Sequence, residues 1–286
     1  MAYPSDISVI IPTFNRAEHI RRAVESVLCQ NLPCSEIIIV DDGSTDDTEQ
    51  IVASLKKESA PEIRYIHQTN KGPAAARNTG IRNARSSFIA FLDSDDHWQK
   101  KKLAIQFRAM EEEPQYLISH TFERWLRRGE HLNQKKIHIP RPGDIFDHCL
   151  LLCGVGMSTV LVRKRLFDHI GLFNEDLPCC EDYDFWLRVS SRYPFLLVKK
   201  PLTVKEGGRP DQVSEIYRLG MDRFRIKALV DLIESGGLNH KQQELSIDEL
   251  LRKCSIYGNG CRKHGNDDEH RKINNIINNY KVYSSQ

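Results

Sequence analysis

The sequence predicts an α/β protein: a doubly wound, mainly parallel sheet followed by a helical C-terminal appendage. Three observations carry this. Short apolar, β-branched runs alternate with stretches of helical periodicity through the first third of the chain. Those runs are apolar throughout, as strands covered on both faces must be. Beyond about Glu215 the pattern turns mostly helical.

The elements follow in order. "ISVIIPTF" is a first strand, ended by Pro12, and "RAEHIRRAVESVLCQ" places Ile20, Val24, Val27 and Leu28 at helical spacing. "SEIIIVDDGSTDDT" repeats the unit, with an apolar strand over Ile37–Val40, then acids, then Gly43. A helix through "TEQIVASLKKES" follows, then the strand "IRYIHQ". Gly72 and Pro73 in "NKGPAAARNTGIRNAR" mark the start of a third helix. The fourth strand, "FIAFLDSDDHW", runs from Phe88 into Asp93, Asp95 and Asp96. "QKKKLAIQFRAMEEEPQ" reads as helix, "YLISHTFERWL" as strand, and residues 140–176 as helix, strand and short helix with a turn at Gly171. "CCEDYDFWLRVSSRY" is a helix with acids in its first turn, where the helix dipole favours them. The glycines of "YGNGCRKHGNDDEH" predict a break in the tail. The units expected are 1–97, 98–212 and the appendage 213–286.

Composition narrows the function. The chain has 286 residues, and its net charge of +2 calls for no nucleic acid partner. No apolar run reaches the ~18–20 residues of a membrane span, and the basic start and apolar stretch of a secretory signal are missing. The eight cysteines show no paired CxxC motif. Reduced structural thiols in the cytoplasm are therefore the expectation. Lys100, Lys101 and Lys102 read as a solvated helix face or a contact for anionic lipid.

The strand ends concentrate the polar chemistry. In doubly wound sheets ligands bind beyond the carboxyl ends of the strands. Here those ends carry Pro12 to Arg16, Asp41 with Asp42, and Asp93 to Asp96. There is no GxxxxGK[ST] loop and no GxGxxG turn, which excludes a P-loop and argues against dinucleotide binding. Three close carboxylates repel one another, so something must offset the cost. Solvent, helix-end amides and a divalent cation are the candidates. Mn²⁺ or Mg²⁺ favours a pair of carboxylates together with substrate phosphate. Asp93 and Asp95, two residues apart, point to one side. A phosphatase-type DxD site is a rival, although His97 stands where that pattern wants Thr or Val.

"SVIIPTFNRAEHIRRAVESVLCQ", "EIIIVDDGSTDDT", "NKGPAAARNTGI", "FIAFLDSDDHW" and "CEDYDFWLRV", in this order and spacing, resemble family 2 glycosyltransferases, over roughly residues 6–215. The resemblance implies the GT-A fold and an inverting, metal-dependent transfer of sugar from a nucleotide-diphosphate sugar to a glycan or lipid-linked acceptor. It implies that Pro12, Thr13 and Asn15 line the nucleotide pocket and that Asp42 meets the base edge. Lys71 and Arg77 would contact ribose or diphosphate, Asp93 ribose and metal, and Asp95 the metal directly. Asp182 would be the catalytic base, with Glu181 and Trp186 beside it against substrate. Related sequences often carry a His near "KEGGRPDQVS", where this chain has Arg209. Work in cell-surface polysaccharide synthesis, at the inner face of the membrane, would fit. A silent sugar-binding module and a metal-dependent phosphatase or nucleotidyltransferase are the alternatives.

Overall fold

The computed structural model describes residues 5–55 and 61–281. Residues 56–59 of the expected second helix and 282–286 of the expected appendage lie outside them. The first half is built from β1 (Ser5–Thr13), α1 (Ala17–Leu28), β2 (Cys34–Asp41), α2 (Thr48–Ser54), β3 (Glu62–His67), α3 (Pro73–Asn83) and β4 (Phe88–Phe91). β1 lies between β2 and β4, and β3 flanks β2, all parallel. The uniformly apolar strands explain this arrangement. Ile7, Val9 and Ile11 of β1 face the layer holding α1, whereas Ile10 faces the opposite layer with α3. Both faces are dry, so both must be apolar.

Beyond β4 the sheet is mixed. β5 (His97–Trp98), α4 (Lys102–Glu112), β6 (Ile118–Arg127), β7 (Glu130–Leu132), α5 (Phe146–Leu151), β8 (Leu161–Arg163), α6 (Leu166–Ile170), α7 (Glu181–Ser190) and β9 (Leu196–Gly207) follow. The strand order is β3-β2-β1-β4-β8-β6-β9-β5, with β7 hanging on β6. The predicted parallel sheet holds through the first four strands. After that β8 runs antiparallel to β4 and β6, while β9 runs parallel to β6. The twelve-residue β9 has no apolar alternation to announce it, because half of it is polar and only partly covered.

The tail is α8 (Val213–Ile216), α9 (Asp222–Glu234), α10 (His240–Lys263) and α11 (Asp267–Lys281). It is no loose appendage: α9 packs on α7 and α10 on α5. Ile226, Leu229 and Leu250 join the same core as Phe185 and Leu187. The break predicted within "YGNGCRKHGNDDEH" falls at its last glycine: α10 runs through Gly258 and Gly260 to Lys263, and α11 starts at Asp267. Gly258 serves packing instead. A Cβ there would meet Ile273 Cγ2 of α11 at 3.0 Å. The turn that ends the helix is at Gly265, with φ of 71°.

Candidate active site

The carboxyl ends of β1, β2 and β4 open into one cleft of about 860 Å³, closed on the far side by the start of α7 and the segment after β9. Local structure supplies each wall. Pro12 and Thr13 end β1, and the Thr13 Oγ1 is buried there without a partner. Asn15 takes a left-handed φ of 49°, a conformation that asparagine tolerates better than most residues. Its side-chain oxygen accepts from Thr45 N at 2.8 Å, which ties the β1 loop to the β2 loop. Asp42 accepts from Gln68 Nε2 at 2.7 Å, Lys71 N at 3.0 Å and Gly72 N at 2.7 Å. It anchors the loop that leads into α3, at the floor of the cleft, and Lys71 lines the same wall.

Arginines face the three acids after β4. Arg77, buried on α3, donates to Asp93 Oδ1 at 2.9 Å and to Glu181 at the start of α7. Arg209 donates to Asp95. Asp96 turns inward, accepting from Ser158 Oγ at 2.7 Å and Glu206 N at 3.0 Å. Burial, with Asp95 and Asp93 nearby, pushes its carboxyl well above the usual range. The like-charge cost raised by the sequence is thus met here by two guanidiniums, a hydroxyl and an amide. Lys205 adds a further cation. Burial opposes its charge, but Glu123, Asp96 and Asp93 outweigh burial and hold the ammonium protonated.

Glu181 and Asp182 open α7 after Cys180, a non-glycine residue with φ of 64°. Strained backbone of this kind persists where surrounding structure holds it. Burial pushes the Glu181 carboxyl up to about 7, against the pull of Arg77. Asp182 lines the cleft, and its Oδ2 accepts a hydrogen bond from Cys153 Sγ at 3.1 Å. Burial and Asp182 together raise that thiol well above its ordinary pKa, so it stays a donor.

The structure therefore brings Pro12, Thr13, Asn15, Asp42, Lys71, Arg77, Asp93, Asp95, Glu181 and Asp182 to one cleft. Three expected readings change. Trp186 is wholly buried, against Phe185 and Phe195 with ring centroids 4.9 Å and 6.1 Å away, and cannot reach a sugar. Four residues on from Asp182, it lies one turn further along α7, where the helix is enclosed by the core. Arg77 is committed to carboxylates on two elements, so it holds the cleft's two walls together rather than offering a free fork. Lys102 is likewise no surface contact, being fully buried. Sequence reasoning missed Lys205, Cys153 and Ser158, and no motif marks any of them.

Among the described residues no group of three or more His, Cys, Asp or Glu is arranged around a metal position. The donor set nevertheless fits a hard divalent cation. Asp95 and Asp93 are two partly exposed carboxylates lining this cleft. Mg²⁺ and Mn²⁺ are commonly held by one or two such groups, with water and substrate phosphate completing the shell.

Comparison with known proteins agrees with this geometry. Residues 8–171 match the model of glycosyl transferase family 2. An uncharacterized glycosyltransferase of Rickettsia felis is 40% identical over 66% of this chain. The chain spans only 31% of that relative's length. WfaP of Escherichia coli, a UDP-Glc:α-D-GlcNAc-diphosphoundecaprenol β-1,3-glucosyltransferase, is 33% identical over 88% of this chain and 96% of its own. TarS residues 1–349 of S. aureus, solved with UDP-GlcNAc, superpose with a TM-score of 0.72 at 22% identity, covering 89% of this chain and 74% of TarS 1–349. The strand-end acids and the acid pair opening α7 thus sit in a fold shared with TarS, and the chain belongs to glycosyl transferase family 2.

Proposed function

We propose that the protein transfers a sugar from a nucleoside-diphosphate sugar to a hydroxyl of a glycan or lipid-linked acceptor, with inversion at the anomeric carbon. The carrying observation is that Asp182 and the acidic end of β4 share one cleft, whose walls Arg77 joins by bonding Glu181, next to Asp182, and Asp93. A nucleotide seated over the ends of β1 and β2 would lie on Pro12, Thr13, Asn15 and Asp42. The unpartnered Thr13 hydroxyl suits a ligand hydrogen bond there.

Asp182 takes the proton of the acceptor hydroxyl as its oxygen attacks the anomeric carbon. The bond from that carbon to the diphosphate oxygen breaks as the new one forms, and the electron pair leaves with the nucleoside diphosphate. Cys153 donates to Asp182 Oδ2 and the Tyr183 amide to Oδ1 at 2.7 Å, which fixes the carboxylate while each oxygen keeps a further lone pair for the incoming hydroxyl. Lys71 and Lys205 place positive charge on the side where the diphosphate develops its own. Asp95 and Asp93 would hold Mn²⁺ or Mg²⁺, which when bound neutralises the departing diphosphate. Arg209 has to leave Asp95 for that, and is then free to meet the same phosphates. WfaP acts on a lipid diphosphate, which supports work at the inner face of the membrane in cell-surface polysaccharide synthesis. No helix among the described residues is long and apolar enough to cross a membrane.

The test is substitution at the base. Asp182→Asn keeps the shape and loses the proton acceptor, so turnover should fall ~10²–10⁴-fold while UDP-sugar binding holds. Asp95→Ala should remove Mn²⁺-dependent donor binding in calorimetry and leave the fold intact. An Asp182→Asn enzyme that keeps most of its turnover places the base elsewhere.

A further inference from the structure

Beyond the donor side, the cleft continues into a smaller hollow of about 300 Å³ lined by Ser214, Arg218, Gly220, Met221, Asp222, Arg225 and Tyr257. Ser214, Met221 and Arg225 line both hollows and so form their common wall. Arg225 lines the cleft together with Cys153, Cys180 and Asp182. One of its nitrogens donates to Asp222 Oδ1 at 3.1 Å, while the Nε is buried with no partner. Next to this cation the chain exposes apolar side chains. Val213, 39% exposed, and Ile216, 64% exposed, line the larger hollow, and Leu219, 89% exposed, follows three residues on. Phe14, 43% exposed, lies across the cleft mouth. Solvated apolar side chains clustered at the rim of a polar cleft mark a binding surface.

The chemistry along this wall thus runs from a carboxylate base, to a guanidinium with an unused donor, to an apolar lip. A sugar joined through diphosphate to a long hydrocarbon chain has the same order: hydroxyl, anion, chain. We infer that Arg225 holds the acceptor's diphosphate and that Val213, Ile216 and Leu219 take the first isoprenoid units of its lipid chain. This rests on the glycosyl transfer reading and names its acceptor class. Arginine suits the task, because its planar fork bonds phosphate oxygens in pairs. Arg218 adds positive charge in the smaller hollow.

Farnesyl diphosphate tests the subsite without the acceptor sugar being known. Calorimetry with saturating UDP, which fills the donor site, should show farnesyl diphosphate binding more tightly than either farnesol or inorganic diphosphate. Arg225→Met should weaken farnesyl diphosphate about 10- to 100-fold and leave farnesol unaffected. The double variant Ile216→Ser, Leu219→Ser should weaken both farnesyl compounds at least about fivefold and spare diphosphate. Both variants should still melt cooperatively. Displacement of farnesyl diphosphate by UDP, or indifference to Arg225→Met, overturns the assignment. So does equal, Ile216- and Leu219-dependent binding to phosphatidylcholine vesicles, which would make the lip a plain membrane contact. A wild type that binds none of UDP, GDP and dTDP would instead defeat the glycosyl transfer reading.

Discussion

Lys102 carries an ammonium to a place that water does not reach. Its Nζ donates to Gln106 Oε1 at 2.6 Å and lies 4.4 Å from the Trp98 ring centroid. Burial lowers its pKa from 10.5 to about 7. Between those two values the unfolded chain binds this proton and the folded chain releases it. Stability from this group therefore rises with pH across the window, and the burial cost is felt in full below about pH 7. Lys102→Met should stabilise the protein at pH 7 by about 1–3 kcal/mol, with the gain shrinking toward pH 10. Urea titrations of both proteins at several pH values check this, and a gap independent of pH would refute it. Sequence could not have shown the point. "QKKKLAIQF" gives three lysines in a row, and only helix phase against β6 and the Ser158–Thr159 turn decides that one is enclosed.

At the scale of elements, α3 is held unusually close to β1. The reason is Gly80, where a Cβ would meet Ile10 Cγ2 at 2.4 Å. That closeness sets Arg77, one turn earlier, between Asp93 and Glu181. Gly80→Ala improves helix propensity but overpacks a rigid strand, and the clash should win by about 1–3 kcal/mol. A lower urea midpoint with an unchanged slope is the expected signature. A midpoint that stays put would mean that α3 can ride outward freely. The helix itself was legible from Gly72-Pro73 and the alanine run. Its depth was not, because "NTGIRNAR" contains a glycine that sequence alone reads as a weak helix residue.

For the molecule as a whole, the tail behaves as part of the core. α9 and α10 cover Leu187, Tyr183 and the face of α5, so a chain ended at Gln212 would leave that surface wet. We expect full-length protein to melt in one cooperative step, and the shortened chain to show no sharp transition by circular dichroism. Cooperative melting of the short form would make residues 213–286 a separable unit. The sequence by itself determined the parallel β1–β4 half, the edge at which its acids gather, and the family. Those follow from local pattern, since strands wet on neither face must be apolar throughout and polar residues are driven to their ends. Asp93, Asp95 and Asp182 were legible for the same reason: short motifs place them at element ends. Tertiary structure alone decided what each charge faces. Arg77 bridges two walls, Arg209 sits on Asp95, and Lys205 and Arg225 enter the cleft from strands and helices distant in sequence. It also decided that Trp186 points into the core. Pairings across 100 residues leave no periodicity in the chain, because they are set by how whole elements pack and not by any neighbour along it.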